Sequence, residues 1–106
     1  MANISLLGCG AWGSAIAQTL ADNGHTVSAW HYKSNIVDAM QKDRHHAKLK
    51  NLVFNNNISF DSNIESCLLN PKLVVIAVPS HAIRELMNIS SKYFNSKTII
   101  INLSKG

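Results

Sequence analysis

Apolar and polar residues alternate in blocks along this 106-residue chain, and the blocks switch between strand and helix periods. Residues 4–7 form a short apolar run that stops at Gly8, which predicts a strand. Residues 14–23 then follow a helical pattern. Trp12, Ile16 and Leu20 recur at i, i+4 and i+8, with Gly13, Ala17 and Ala21 as a stripe of small residues beside them. Asn23-Gly24 reads as a helix stop and residues 26–30 as a second strand. Ser34 is placed to cap a helix running to about residue 42, with Val37, Met40 and Gln41 on one side.

Residues 42–57 are the least regular part, a basic loop followed by one short strand at 58–60. Ser62-Asn63-Ile64-Glu65 fits a capping box for a short helix that ends at Asn70-Pro71. Residues 73–78 are wholly apolar, the pattern of an interior strand of a parallel sheet buried on both faces. Pro79-Ser80 breaks the run, and Ile83, Leu86 and Met87 carry helical spacing to about residue 93. Residues 98–101 read as another buried strand. Strands alternating with helices predict an α/β domain: a Rossmann-like open, mainly parallel sheet with helices on both faces and right-handed crossovers, occupying residues 1–106. The last strand has no helix after it, so the expectation is an incomplete domain at the front of a longer protein.

Composition narrows the setting. Apolar residues at 46% suffice for a packed core, and the longest apolar run is far short of the roughly 20 residues that cross a bilayer. Two cysteines without a secretory pattern are expected to stay reduced in a cytoplasmic protein. The net charge of +4 suits a phosphorylated small molecule as well as nucleic acid or a membrane surface. The stretch from Lys42 to Lys50 lacks interleaved aromatics, so it reads as a solvated loop and not as a nucleic-acid contact. His45-His46 has cationic neighbours and no Asp, Glu or Cys at ligand spacing, so no metal is expected.

The chemistry concentrates in Gly8-Cys9-Gly10-Ala11-Trp12-Gly13, a GxGxxG between a predicted strand and a predicted helix. Gly8 permits the tight turn, Gly10 lets backbone approach a pyrophosphate, and Gly13 permits close helix packing. The helix start then favours the phosphate charge. The cofactor expected is NAD or NADP. An acid about 20 residues on would bond the ribose of NAD, but the second strand ends in Trp30-His31-Tyr32-Lys33. Lys33 would attract a 2′-phosphate, while Tyr32 can pack on the adenine. Cys9 sits in the loop where a small side chain is needed.

Gly8-Cys9-Gly10-Ala11-Trp12-Gly13-Ser14-Ala15-Ile16-Ala17 resembles the opening of bacterial NAD(P)-dependent glycerol-3-phosphate dehydrogenases. The resemblance continues through Asn23-Gly24-His25-Thr26-Val27 and Trp30, and returns at Ala77-Val78-Pro79-Ser80 and Ser104-Lys105-Gly106. It implies a hydride transfer between NAD(P)H and dihydroxyacetone phosphate or sn-glycerol 3-phosphate, which supplies glycerol phosphate for phospholipid synthesis. It also implies that Ala11, Trp12 and Tyr32 contact the dinucleotide and that Lys105 sits where cofactor and substrate meet. The family's catalytic base is a lysine of a helical C-terminal domain that these residues do not include, so no catalytic residue is expected here and the chain alone should not turn over. The full-length protein is expected to form a homo-oligomer. Three departures stand out. Ala11 replaces a usual hydroxyl, Tyr32 replaces a common Arg or His, and His45-His46-Ala47-Lys48-Leu49-Lys50 replaces an Asn-x-x-Tyr-Leu-Pro stretch. A related reductase, or a dinucleotide sensor without chemistry, is the alternative reading.

Overall fold

Side chains on successive strand residues point to opposite faces of a sheet, and here each face meets its own pair of helices. The computed structural model describes residues 2–49 and 51–104. Its strands are β1 (Asn3–Leu7), β2 (Thr26–Trp30), β3 (Ile58–Asp61), β4 (Leu73–Ile76) and β5 (Ile99–Asn102). The helices are α1 (Ala11–Asp22), α2 (Ser34–Asp43), the single turn α3 (Ile64–Cys67) and α4 (Ile83–Ser90), which a 3-10 turn over Ser80–Ala82 precedes. The sheet order is β3-β2-β1-β4-β5 and every pairing is parallel. The expected Rossmann-like α/β sheet is therefore present.

Ile4, Leu6, Val27, Ala29, Ile58, Phe60 and Val75 join Ala17 and Ala21 of α1 and Val37 and Met40 of α2 in one core. Leu7, Trp30, Val74 and Ile76 face the other way and pack with Cys67, Leu68 and Leu86. Complete burial of such a side chain contributes about 1.5–3 kcal/mol, and both layers depend on the period-2 alternation holding through β1, β2 and β4.

On α1 the small-residue stripe is the one that packs on the sheet. Gly13, Ala17 and Ala21 are buried, with Ser14 beside them, whereas Trp12 remains 46% exposed and Ile16 and Leu20 are half-buried. Small side chains let the helix axis approach the sheet, and the larger ones flank that contact. The helix ends as Asn23-Gly24 predicts. Gly24 adopts φ +92°, its N–H donates to the Ala21 carbonyl, and the His25 N–H donates to the Leu20 carbonyl.

Several boundaries and roles differ from expectation. Ser34 is the first residue of α2 and not its cap; Lys33 holds the cap position without a side-chain bond. The cap of α3 falls one residue later than the capping box implies, because the Asn63 side chain accepts the Ser66 N–H at 3.1 Å while the Ser62 carbonyl accepts the Trp30 indole N–H at 2.9 Å. Within the basic segment, Arg44 is structural. Its guanidinium donates to the carbonyls of Asn55 (2.7 Å) and Ile58 (2.9 Å), pinning the loop over 44–57 to the start of β3.

The largest correction concerns β5. It is not buried: Ile99, Ile100 and Ile101 are 58%, 41% and 41% exposed. An unbroken apolar run describes what a strand can bury, not where it lies, and β5 lies at the sheet's edge.

Candidate functional site

The strand order reverses direction at β1. The chain moves from β1 to β2 to β3 on one side, then returns to β4 and β5 on the other. Beyond the carboxyl ends of β1 and β4 this leaves a crevice, the place where open α/β sheets bind ligands. A cleft of about 650 Å³ occupies it. Gly8, Cys9 and Gly10 form its floor, Trp30, His31 and Tyr32 one wall, and the segment from Ala77 through α4 the other.

The three loop glycines do different work. Gly8 adopts φ +120°, and a Cβ there would overlap the Ala77 carbonyl. Its N–H donates to the Trp30 carbonyl at 2.9 Å, which closes the exit from β1 against β2. Gly13 is held by crowding inside the loop, because its Cβ would collide with the Gly8 carbonyl oxygen. Gly10 has no such constraint. It is exposed, precedes α1 at φ −67° and ψ −173°, and a Cβ on it would meet nothing within 4 Å. The Ser14 N–H donates to the Gly10 carbonyl at 2.8 Å, so regular helix bonding begins there. The amides of the preceding turn lie at the positive end of the helix.

Of the residues singled out from the sequence, Gly8, Cys9, Gly10 and Tyr32 line the cleft. The Cys9 side chain points away from it into the core, with Sγ 3.1 Å from the Trp30 carbonyl oxygen. Burial, with Cys67 as a second cause, raises its pKa and keeps it a neutral thiol. Ala11, Trp12 and Gly13 form the first turn of α1 beside the floor. The Trp12 indole N–H donates to the Leu103 carbonyl at 3.0 Å, tying that turn to the segment after β5. Lys33 sits at the rim with its ammonium 5.6 Å from the Tyr32 ring centroid. Lys105 lies outside the described residues.

A sequence model of the N-terminus of NAD-dependent glycerol-3-phosphate dehydrogenase matches residues 3–106. The chain belongs to this family. It is similar to the glycerol-3-phosphate dehydrogenase (NAD(P)+) of Bacillus licheniformis, with 32% identity over 109 residues that cover 100% of this chain and 31% of that protein. It is 36% identical over 103 residues to the protein of the same name from a Thermoanaerobacter species, covering 97% of this chain and 31% of the relative. The crystal structure of the glycerol-3-phosphate dehydrogenase from Coxiella burnetii superposes with a TM-score of 0.92 at 31% identity, over 99% of this chain and 33% of that one. The chain thus spans about a third of the length of the curated relatives it matches, and corresponds to the family's N-terminal domain.

In this glycerol-3-phosphate dehydrogenase-family domain, sequence reasoning missed most of the second wall. Ala82, Leu86 and Ile89 recur at i, i+4 and i+7 and bring an apolar face to the cleft, with Glu85 beside them. His81 also lines it. That helical spacing directly after a strand end was a usable signal. His31 lines the opposite wall. No group of three or more His, Cys, Asp or Glu able to hold a metal is present among the described residues. No helix among them is long and apolar enough to cross a membrane.

The thiols carry a pH prediction. Burial, with Asp61 as a second cause, pushes the Cys67 pKa up to about 12 from 9.0. A raised folded-state pKa favours the protonated form, so this contribution to stability is complete below pH 9.0 and is lost as pH climbs toward 12. Urea denaturation across that window should show a smaller alkaline loss in Cys67→Ala than in the parent chain. Equal losses would remove Cys67 as a cause.

Proposed function

We propose that this chain binds NAD(H) or NADP(H) across the cleft and forms the cofactor half of an enzyme that transfers hydride between the nicotinamide and a phosphorylated three-carbon pair, dihydroxyacetone phosphate and sn-glycerol 3-phosphate. The product would supply the glycerol phosphate of phospholipids. The observation that carries this reading is Gly10. In a loop where both other glycines are sterically required, it alone faces open space at a helix start, which leaves room for a pyrophosphate against the backbone.

The described residues fit such a group. Amides of the first turn of α1 would hold the phosphates. Tyr32 and the apolar face of α4 would enclose the adenine end, and no acid stands at the end of β2 to repel a 2′-phosphate. When bound, the cofactor supplies the hydride. The chain's own part is to hold and orient it and to exclude water from the apolar cleft. Two free, buried cysteines support a cytoplasmic setting. The exposed apolar edge at β5 supports further association of the full-length protein, as a homo-oligomer or with its own remaining residues.

In sequence Lys105 comes two residues after Leu103, whose carbonyl accepts the Trp12 indole N–H beside the first turn of α1. We assign it the substrate phosphate and the oxygen that gains negative charge as hydride arrives, as a protonated donor and not as the proton-transferring base. In the full-length enzyme, Lys105→Ala should lower kcat/KM for dihydroxyacetone phosphate at least tenfold, about 1.4 kcal/mol, with dinucleotide affinity retained. An unchanged kcat/KM would take Lys105 out of the site.

A further inference from the structure

Resting on the dinucleotide reading above, we propose that His31 is a specificity-determining residue whose imidazole reads the 2′ substituent of the adenine ribose and makes the choice between NADP(H) and NAD(H) depend on pH.

The placement comes first. His31 directly follows β2, where dinucleotide folds meet the ribose hydroxyls, and it lines the cleft. Its position is fixed on three sides. The backbone N–H donates to the Asp61 carbonyl at 3.2 Å, Nδ1 accepts the Lys33 N–H at 3.0 Å, and the ring stacks on Tyr32 at 4.8 Å between centroids and 15° between planes. Because Nδ1 accepts, the neutral ring carries its proton on Nε2. That leaves Nε2–H as the single donor, suited to a ribose hydroxyl or a phosphate oxygen.

Charge decides between them. The groups around the ring are Lys33 and Tyr32 on its own segment, His46 from the loop before β3, Asp61 at the end of β3, and His81 and Glu85 on the opposite wall. Burial first, then Lys33, then His46, hold the His31 pKa below its ordinary 6.5, so the ring is neutral near pH 7. A second positive charge beside Lys33 becomes favourable when a 2′-phosphate arrives. Binding NADP(H) should therefore raise the His31 pKa and take up a proton on Nδ1, which gives up the Lys33 N–H bond in exchange, whereas NAD(H) brings no charge to this point. The preference for the phosphorylated form should grow as pH falls. The 2′-phosphate's own ionisation near pH 6 works in the opposite direction, and a His31 variant isolates it.

The test is calorimetry of the 106-residue chain with NADPH and with NADH at about pH 6 and about pH 8, in buffers of different ionisation heat. The parent and His31→Gln are compared. Relative to His31→Gln, the parent should gain roughly fivefold or more in NADPH-over-NADH preference on going to the lower pH, and NADPH binding should absorb a proton that the variant does not. The His31 ring resonances of the parent, which need no variant, should titrate at higher pH with NADPH bound and not with NADH bound. If both dinucleotides bind and neither the preference nor the proton uptake depends on His31, this inference fails and the function stands. If neither binds at either pH, both fail.

Discussion

Replacing Gly13 by alanine is expected to lower the melting temperature by at least about 10 °C, the equivalent of roughly 2–3 kcal/mol in a domain of this size. On helix propensity alone the change should stabilise, because alanine exceeds glycine by about 1 kcal/mol inside a helix. The geometry reverses that sign. The added methyl would collide with the Gly8 carbonyl oxygen, which is backbone and not a side chain that can swing aside. Gly8 cannot retreat, since its own N–H is tied to Trp30 and its φ of +120° leaves it against the Ala77 carbonyl. Relief would require moving α1 away from the sheet, which opens the contact made by Ala17 and Ala21. Thermal denaturation checks this. A melting temperature equal to the parent's would show that the loop is not close-packed.

Gly10→Val should do the reverse. Its backbone angles are ones a valine adopts, and its Cβ points into open space. The cost to the fold should be about 1 kcal/mol or less, reflecting the poorer cap. Dinucleotide affinity should nevertheless fall at least a hundredfold, about 2.7 kcal/mol. The branched side chain fills the approach to the first-turn amides, and each charge-assisted bond lost there is worth roughly 1.5–3 kcal/mol. Calorimetric titration of the folded variant measures this. Unchanged affinity would mean that the phosphates, if bound, lie elsewhere. The two predictions, three residues apart, thus assign Gly13 to the fold and Gly10 to the ligand.

The periods of the sequence located β1, β2 and β4 within a residue or two, because each strand is a short apolar or alternating stretch between glycine, proline or polar breaks. They could not rank the strands across the sheet. Ile99, Ile100 and Ile101 look in sequence as buried as Val74 and Val75, and only the pairing order shows that one strand is central and the other peripheral. The glycine loop was legible as a site because chance glycines rarely fall between a strand and a helix. The division of labour among its glycines was not, since it depends on carbonyls of residues up to 69 positions away, at Ala77. Arg44 shows the same limit for charge. In a run of basic residues nothing marks the one whose guanidinium closes the loop onto Asn55 and Ile58. The α4 wall was missed because Leu86 and Ile89 also satisfy an ordinary core stripe, and burial alone separates Leu86 from the 42%-exposed Ile89.

The central claim is that a dinucleotide lies in the crevice beyond β1 and β4, its phosphates on the loop between Gly8 and Gly13. Amide resonance mapping of the isotopically labelled chain during addition of NADPH or NADH tests it most directly. Shifts should concentrate at residues 8–13, 31–33 and 77–85, with residues 70, 72 and 95–97, at the amino ends of β4 and β5, unmoved. Shifts confined to those amino ends, or none at saturating dinucleotide, would contradict the account.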